Sequence, residues 1–235
     1  MSAAARIGIL GGTFDPMHFG HLDTALAARE ALGLERVVII PSRVPPHRSH
    51  QPSASPFHRF AMVALAVNGV DGLSVSDIEL TTPGPSYTAD TLARLREALG
   101  LQASQVFFIT GADAFAEIET WSRFPEVLDL AHFIVVSRPG VSVATLRQRL
   151  PALKDRMRLP LRRTASGTVE GKISIFLVDA PTTDASSTEI RRRLRAALPL
   201  QGLVPAAIEH HIQQHGLYVQ QPLTPSTADH LHGQN

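Results

Sequence analysis

The sequence predicts an α/β protein with a doubly wound parallel sheet of the Rossmann-like kind. Short apolar runs closed by turn residues alternate with amphipathic segments along most of the chain. The first strand, helix and strand lie between Arg6 and Ile40, close enough to form one βαβ unit. A Gly-Gly turn stands directly behind the first strand, where open α/β sheets bind their ligands.

The elements follow in order. Residues 6–10 (RIGIL), closed by Gly11-Gly12, read as a buried strand. Residues 18–33 carry Leu22, Ala25, Leu26, Ala28 and Leu32 at helical spacing. Residues 36–40 (RVVII), ended by Pro41, read as a second buried strand, parallel to the first through a right-handed crossover. Residues 56–68 read as helix, 73–80 as extended and 87–99 as helix, with Ser86 as its N-cap. Residues 105–110, 132–137 and 172–178 are further buried strands, and helices follow over 187–197 and 205–215. Residues 42–55, rich in Pro, Ser and His around the stiff Pro45-Pro46 pair, read as a binding loop or lid. Residues 220–235 are polar and aperiodic and read as a disordered tail behind one domain over 1–219.

Composition narrows the function. The 235 residues are 44% hydrophobic and 18% charged, which excludes global disorder. Lys+Arg at 22 against Asp+Glu at 21 leaves a net charge of +1, so neither nucleic acid nor an anionic membrane is an expected partner. With no cysteine, disulfides, thiolate metal sites and cysteine nucleophiles are excluded. No apolar run approaches the ~20 residues of a bilayer span, and the start of the chain lacks a signal-peptide pattern. A soluble, cytoplasmic protein is expected. The sequence carries no signal of oligomeric state, and a homo-oligomer stays open.

Two strings carry the chemistry. The first runs Gly11-Gly12-Thr13-Phe14-Asp15-Pro16-Met17-His18-Phe19-Gly20-His21. The glycines allow close approach of backbone to a ligand, and the helix that follows offers free N–H groups to an anion. His18 and His21 share a helix face, with Cβ atoms about 5–6 Å apart, and Gly20 between them leaves that surface bare. Two imidazoles beside a phosphate-sized gap suit the holding and neutralising of phosphate oxygens. Asp15, His18 and His21 also have the residue types of a metal triad, but no second shell is evident and no metal is expected. The string is neither the GxGxxG fingerprint nor a Walker loop. The second string, Ser186-Ser187-Thr188-Glu189-Ile190-Arg191, fits a capping box between Ser186 and Glu189. A helix amino terminus with hydroxyls and an arginine one turn in is equally a polyphosphate site. Arg192, Arg193 and Arg195 read as solvated helix surface. His210, His211, His215, His230 and His232 read as exposed, with no metal role.

Together GGTFDPMHFGH and SSTEIR resemble the two signatures of the nucleotidyltransferase superfamily that has the His-x-Gly-His motif. Between them, Pro45-Pro46-His47-Arg48, Pro85-Ser86-Tyr87-Thr88, Gly111-Ala112-Asp113, Trp121 and Val136-Ser137-Arg138-Pro139-Gly140 narrow the resemblance to the bacterial nicotinate mononucleotide adenylyltransferases. It covers nearly the whole chain except the tail.

The resemblance implies adenylyl transfer from ATP to nicotinate mononucleotide, giving deamido-NAD and pyrophosphate without a covalent enzyme intermediate. Mg²⁺ would be carried with ATP. His18, His21 and Arg191 would be catalytic. Gly11, Gly12, Thr13 and Phe14, with Ser186, Ser187 and Thr188, would bind ATP and its phosphates. Tyr87, Thr88, Trp121 and Ser122 would bind nicotinate mononucleotide, together with Asp15, His47, Arg48, Asp113 and Arg138. By residue type alone Trp121 is a core aromatic, but its polar neighbours suit the edge of a site. Arg48 stands where the family usually has Lys, and residues 150–171 match nothing in it, which leaves Arg156, Arg158, Arg162 and Arg163 without a role. The rival expectations are adenylyl or cytidylyl transfer to another phosphate acceptor, or a non-catalytic nucleotide sensor.

Overall fold

Seven parallel strands form one sheet in the computed structural model of the chain, which describes residues 5–46, 51–160 and 172–219. In chain order the amino-terminal half holds β1 (Ile7–Gly12), α1 (Phe19–Leu32), β2 (Arg36–Pro41), α2 (Pro56–Val67), β3 (Leu73–Val75) and α3 (Thr88–Leu99). The second half holds β4 (Val106–Gly111), α4 (Ala112–Phe115), β5 (His132–Val136), α5 (Leu146–Arg149), β6 (Met157–Arg158), β7 (Ile175–Val178), α6 (Ser187–Arg195) and α7 (Ala206–Gln214). The strand order is β3-β2-β1-β4-β5-β7-β6. The chain winds outward in one direction from β1 and in the other from β4, so the switch point lies between these two strands. This is the doubly wound sheet expected from the sequence. Among the described residues, no helix is long and apolar enough to cross a membrane.

The central strands are buried on both faces, and their side chains divide with a period of two. Val37, Ile39, Phe107, Ile109, Ile134 and Val136 join one core with Leu22 of α1, Met62 of α2, Ile190 of α6 and Ile208 of α7. Their neighbours Val38, Ile40, Phe108, Phe133 and Val135 join the other, with Leu92 of α3, Phe115 of α4 and Leu146 of α5. His132 is fully buried within this layering and stacks on Phe107 at 4.8 Å. Its Nδ1 accepts a hydrogen bond from Ser174 N at 3.0 Å, and burial lowers its pKa to about 4.

Several local expectations are corrected. Residues 73–80 are not one extended run: β3 ends at Val75, and turns bonded from Leu80 N and Thr81 N to Asp77 O follow. An edge strand has one neighbour only, so three residues suffice and the run of threonines folds back. Ser86 does not cap α3. Tyr87 is its N-cap without a side-chain bond, while Ser86 Oγ accepts from Arg43 N at 2.9 Å. Leu26 faces outward on α1, at 39% exposure. The unplaced stretch 150–171 begins with a 3₁₀ turn (Pro151–Arg156) and the edge strand β6, and its residues from 161, with Arg162 and Arg163, lie outside the described residues. Arg156 has a structural task, donating to Leu128 O at 2.6 Å and to Asp129 Oδ1 at 2.8 Å. The tail over 220–235 also lies outside the described residues.

Candidate active site

The turn behind β1 is built around an aromatic side chain. Phe14 takes a left-handed backbone conformation (φ 49°), and its buried ring lies against Gly12, where a Cβ would stand 2.8 Å from Phe14 Cζ. Glycine is therefore required at position 12 by packing as well as by any ligand. Phe14 meets the His21 ring edge-on at 5.0 Å, and His21 stacks on His18 at 3.7 Å. The two histidines thus meet as expected, although His18 is the extended N-cap of α1 and not part of the helix. Gly20 does not leave open surface. It is buried, and a Cβ there would stand 2.9 Å from the Thr183 carbonyl oxygen.

His18 is 1% exposed, and burial, with Arg138 nearby, lowers its pKa to about 3. In the free protein it is therefore neutral at physiological pH.

Asp15, expected at the acceptor, is bonded within the protein. Its side chain is 1% exposed; Oδ1 accepts from Ala54 N at 3.0 Å and from Tyr218 Oη at 2.8 Å, and Oδ2 accepts from Ser53 N at 2.9 Å. Arg191 donates to the Asp15 carbonyl at 2.6 Å and lies 3.7 Å from its carboxylate. A buried carboxylate with this many donors is fixed by them, which is why it faces inward. A second buried support is Arg59 of α2, which is 0% exposed. Its guanidinium donates to the carbonyls of Thr13 (2.8 Å), Ser42 (2.7 Å), Arg43 (3.1 Å) and Ala54 (3.3 Å), stapling the first turn to the 42–55 loop.

The amino terminus of α6 docks on the same turn. Ser187 Oγ donates to Pro16 O at 2.9 Å, and Thr183 binds Asp23 of α1 through its hydroxyl (2.6 Å) and its amide (2.8 Å). Two helix amino termini, those of α1 and α6, therefore converge, and their free N–H groups and dipoles favour an anion between them. Ser186 Oγ accepts from Glu189 N at 3.2 Å, but the expected capping box is only half formed. Glu189 turns instead to Arg192 and Arg193 at 2.7 and 2.9 Å, and these bonds lower its pKa to about 2. Arg192 and Arg193 are thus paired. Thr188 is exposed at the tip, with Arg191 Nη2 3.3 Å from its hydroxyl.

Two cavities lie at the carboxyl ends of the strands. One, of about 270 Å³, is lined by Gly11, Gly12 and Thr13, by Pro45 and Pro46, and by Tyr87, Thr88, Trp121 and Ser122. Trp121 is both core and edge: half-buried, it meets Phe108 edge-on at 5.9 Å and also lines the cavity. Glu79 and Thr91 line it too and were not singled out from the sequence. Burial pushes the Glu79 carboxyl up, and Thr91 Oγ1 donates to it at 2.5 Å. The other cavity, an open cleft of about 570 Å³, lies between residues 137–142 and 179–182. Arg138 lines this cleft and pairs with Asp113 at 3.6 Å, so neither of these two expected acceptor residues lines the Trp121 cavity. Both follow strands on the β4–β5 side of the switch point. His47 and Arg48 lie outside the described residues.

Comparison with known proteins gives consistent matches. The cytidylyltransferase-like family model matches residues 9–193. A protein of Chromohalobacter salexigens named "Probable nicotinate-nucleotide adenylyltransferase" is 43% identical over 220 residues, covering 91% of this chain and 96% of that one. A protein of the same name from Moorella thermoacetica is 40% identical over 213 residues, covering 91% of each chain. Among solved structures, Plasmodium falciparum nicotinic acid mononucleotide adenylyltransferase complexed with NaAD superposes with a TM-score of 0.69 at 18% identity. That superposition covers 91% of this chain and 97% of the other, and shows the shared fold.

Proposed function

The chain belongs to the cytidylyltransferase-like family, and from that membership we propose that it is a nicotinate-nucleotide adenylyltransferase, transferring the adenylyl group of ATP to nicotinate mononucleotide. The products are deamido-NAD, a precursor in NAD biosynthesis, and pyrophosphate. The observation that carries this reading is the convergence of two helix amino termini beside the stacked His18–His21 pair, at the sheet's switch point. A 5′-phosphate oxygen of the acceptor attacks the α-phosphorus of ATP. The bond from that phosphorus to the pyrophosphate oxygen breaks as the new phosphoanhydride forms.

Such a transfer depends on positioning and charge stabilisation more than on acid–base chemistry. In this reading the triphosphate lies over the amino termini of α1 and α6, close to the backbone of Gly12 and Thr13. His21 stabilises charge developing on the α-phosphoryl group, and neutral His18 orients it through a hydrogen bond. Thr188 and Arg191 take the leaving pyrophosphate. The nicotinate ring occupies the Trp121 cavity, and the adenosine lies in the cleft beside Arg138. The substrate is MgATP. The turn's carboxylate, Asp15, has both oxygens bonded within the protein, so Mg²⁺ would be held by phosphate oxygens and water.

The acceptor end also fits an acid. Thr88 stands in the first turn of α3, whose N-cap makes no side-chain bond, so that helix presents N–H groups at the cavity wall. Pyrophosphate release from MgATP, measured with nicotinate mononucleotide, nicotinamide mononucleotide, phosphopantetheine and glycerol phosphate, tests the reading. Nicotinate mononucleotide should be the best acceptor. Turnover of phosphopantetheine or glycerol phosphate in its place would reassign the substrate, and no release with any acceptor would favour a sensor.

A further inference from the structure

Three histidines from two helices meet where α2 packs on α7. His58 is in the first turn of α2, while His211 and its C-cap His215 lie four residues apart at the carboxyl end of α7, on one face. His58 Nδ1 is 3.2 Å from His211 Nε2. One ring nitrogen from each residue lies within 4.8 Å of the other two. No carboxylate pairs with any of the three among the described residues. Three imidazoles at this spacing repel one another if protonated, whereas each neutral ring has one nitrogen lone pair to offer a shared cation.

A tetrahedral zinc-class ion, with metal–nitrogen bonds of about 2.0–2.1 Å, sets its nitrogen ligands roughly 3.3–3.4 Å apart. The His58–His211 separation already approximates one edge of that tetrahedron, and a rotation of the exposed His215 ring supplies the third ligand. We propose that His58, His211 and His215 bind a divalent transition metal of the zinc class, with water in the fourth position. An all-imidazole set selects zinc, copper or nickel over magnesium and calcium, which take oxygen ligands, so the site does not compete for the Mg²⁺ of the nucleotide.

The placement gives the ion a structural task. It joins helices 153 residues apart in sequence. His58 precedes Arg59, which holds the first turn, and His215 precedes Tyr218, which holds Asp15. A bound ion would therefore clamp both supports of the catalytic turn.

The test is to strip the full chain with a chelator and titrate zinc by calorimetry and thermal unfolding, with Mg²⁺ present throughout. One zinc should bind per chain and raise Tm by roughly 5–10 °C at a hundredfold excess over Kd. Cobalt in its place should give the intense visible bands of a four-coordinate ion. His58→Gln and His215→Gln should each weaken binding at least tenfold and remove the rise in Tm, whereas a His230→Gln/His232→Gln double variant should retain both. Should His58→Gln fail to fold, His215→Gln, at an exposed position, decides the matter. Absence of zinc binding overturns the proposal, as does binding that survives His58→Gln and His215→Gln or is lost only with the tail double variant.

Discussion

Tyr218 donates its hydroxyl to Asp15 Oδ1 at 2.8 Å, tying residue 218 to the turn behind the first strand. Burial and the Asp15 charge push the phenol further up from its ordinary pKa, so it remains a donor at all physiological pH values. Tyr218→Phe strands a lone pair of a buried carboxylate and should cost about 1.5–3 kcal/mol, read as a lower urea midpoint at constant m. Truncation after Val219 should leave the midpoint unchanged, and truncation after Leu217 should reproduce at least the Tyr218→Phe loss. An unaltered midpoint in Tyr218→Phe would show that the bond contributes nothing.

His21 is held between the Phe14 edge and the His18 face, which fixes its ring before substrate arrives. His21→Ala should lower kcat by roughly 10²–10³, the loss of one preorganised group. A near-normal kcat with only a raised KM for ATP would assign His21 to ground-state binding.

Arg191 and Arg193 together test the proposed phosphate role of α6 against packing alone. Arg191→Ala should weaken ATP use far more than nicotinate mononucleotide binding, and should also lower Tm because the buried Asp15 loses a cation. Arg193 is bonded to Glu189 and to Pro199 O, and Arg193→Ala should change Tm slightly and kcat/KM for ATP little. Equal kinetic effects from the two would make α6 a structural helix only.

Acid should be preferred to amide at the acceptor ring. A carboxylate offers two acceptors to the uncapped amino terminus of α3, whereas an amide sets an NH₂ against those donors. An unsatisfied buried group costs about 1–3 kcal/mol, so kcat/KM for nicotinate mononucleotide should exceed that for the amide by at least roughly tenfold. Equal values would exclude this pairing.

Two buried histidines set a pH dependence of stability. His132 and His18 have folded pKa values lowered from 6.5 to about 4 and about 3. Below pH 6.5 the unfolded chain binds protons that the folded chain refuses, so stability is full above that pH and falls as pH drops. The fall attributable to His132 should approach about 1.4 kcal/mol per pH unit until pH nears its folded value. His132→Asn retains an acceptor for Ser174 N and should flatten the slope between pH 6 and 4, as measured by urea unfolding at each pH. An identical slope in the variant would place the titration elsewhere.

The central strands were legible because each is a short apolar run buried on both faces, as at Val37–Ile40 and Phe133–Val136. The edge strands were less so: β3 was legible but overextended to residue 80, and β6, with two residues, is too short for any period. The His18–His21 pair was readable from its spacing, and Trp121 with Thr88 from the resemblance. Arg59 was invisible, since an arginine on an amphipathic helix reads as surface until four carbonyls are seen to surround it. The surroundings of Asp15 were equally hidden: that backbone N–H groups of Ser53 and Ala54 hold its carboxylate is a contact across 38 and 39 residues that no local pattern announces. His58 gave no signal because its partners lie at the far end of the chain.

The docking of α6 on the first turn has a bearing on how the protein is made. Thr183 meets Asp23 across 160 residues, and Ser187 meets Pro16 across 171. A ribosome adding about 5–20 residues per second exposes the first turn many seconds before these partners exist. The amino-terminal βαβ unit has all its local contacts by then, but the convergence of the α1 and α6 amino termini needs a helix not yet synthesised. The docked arrangement therefore arrives last, and a nascent or prematurely terminated chain holds the His-x-Gly-His segment without the amino terminus of α6 beside it. Loop closure over such separations also slows refolding of the full chain relative to its local elements.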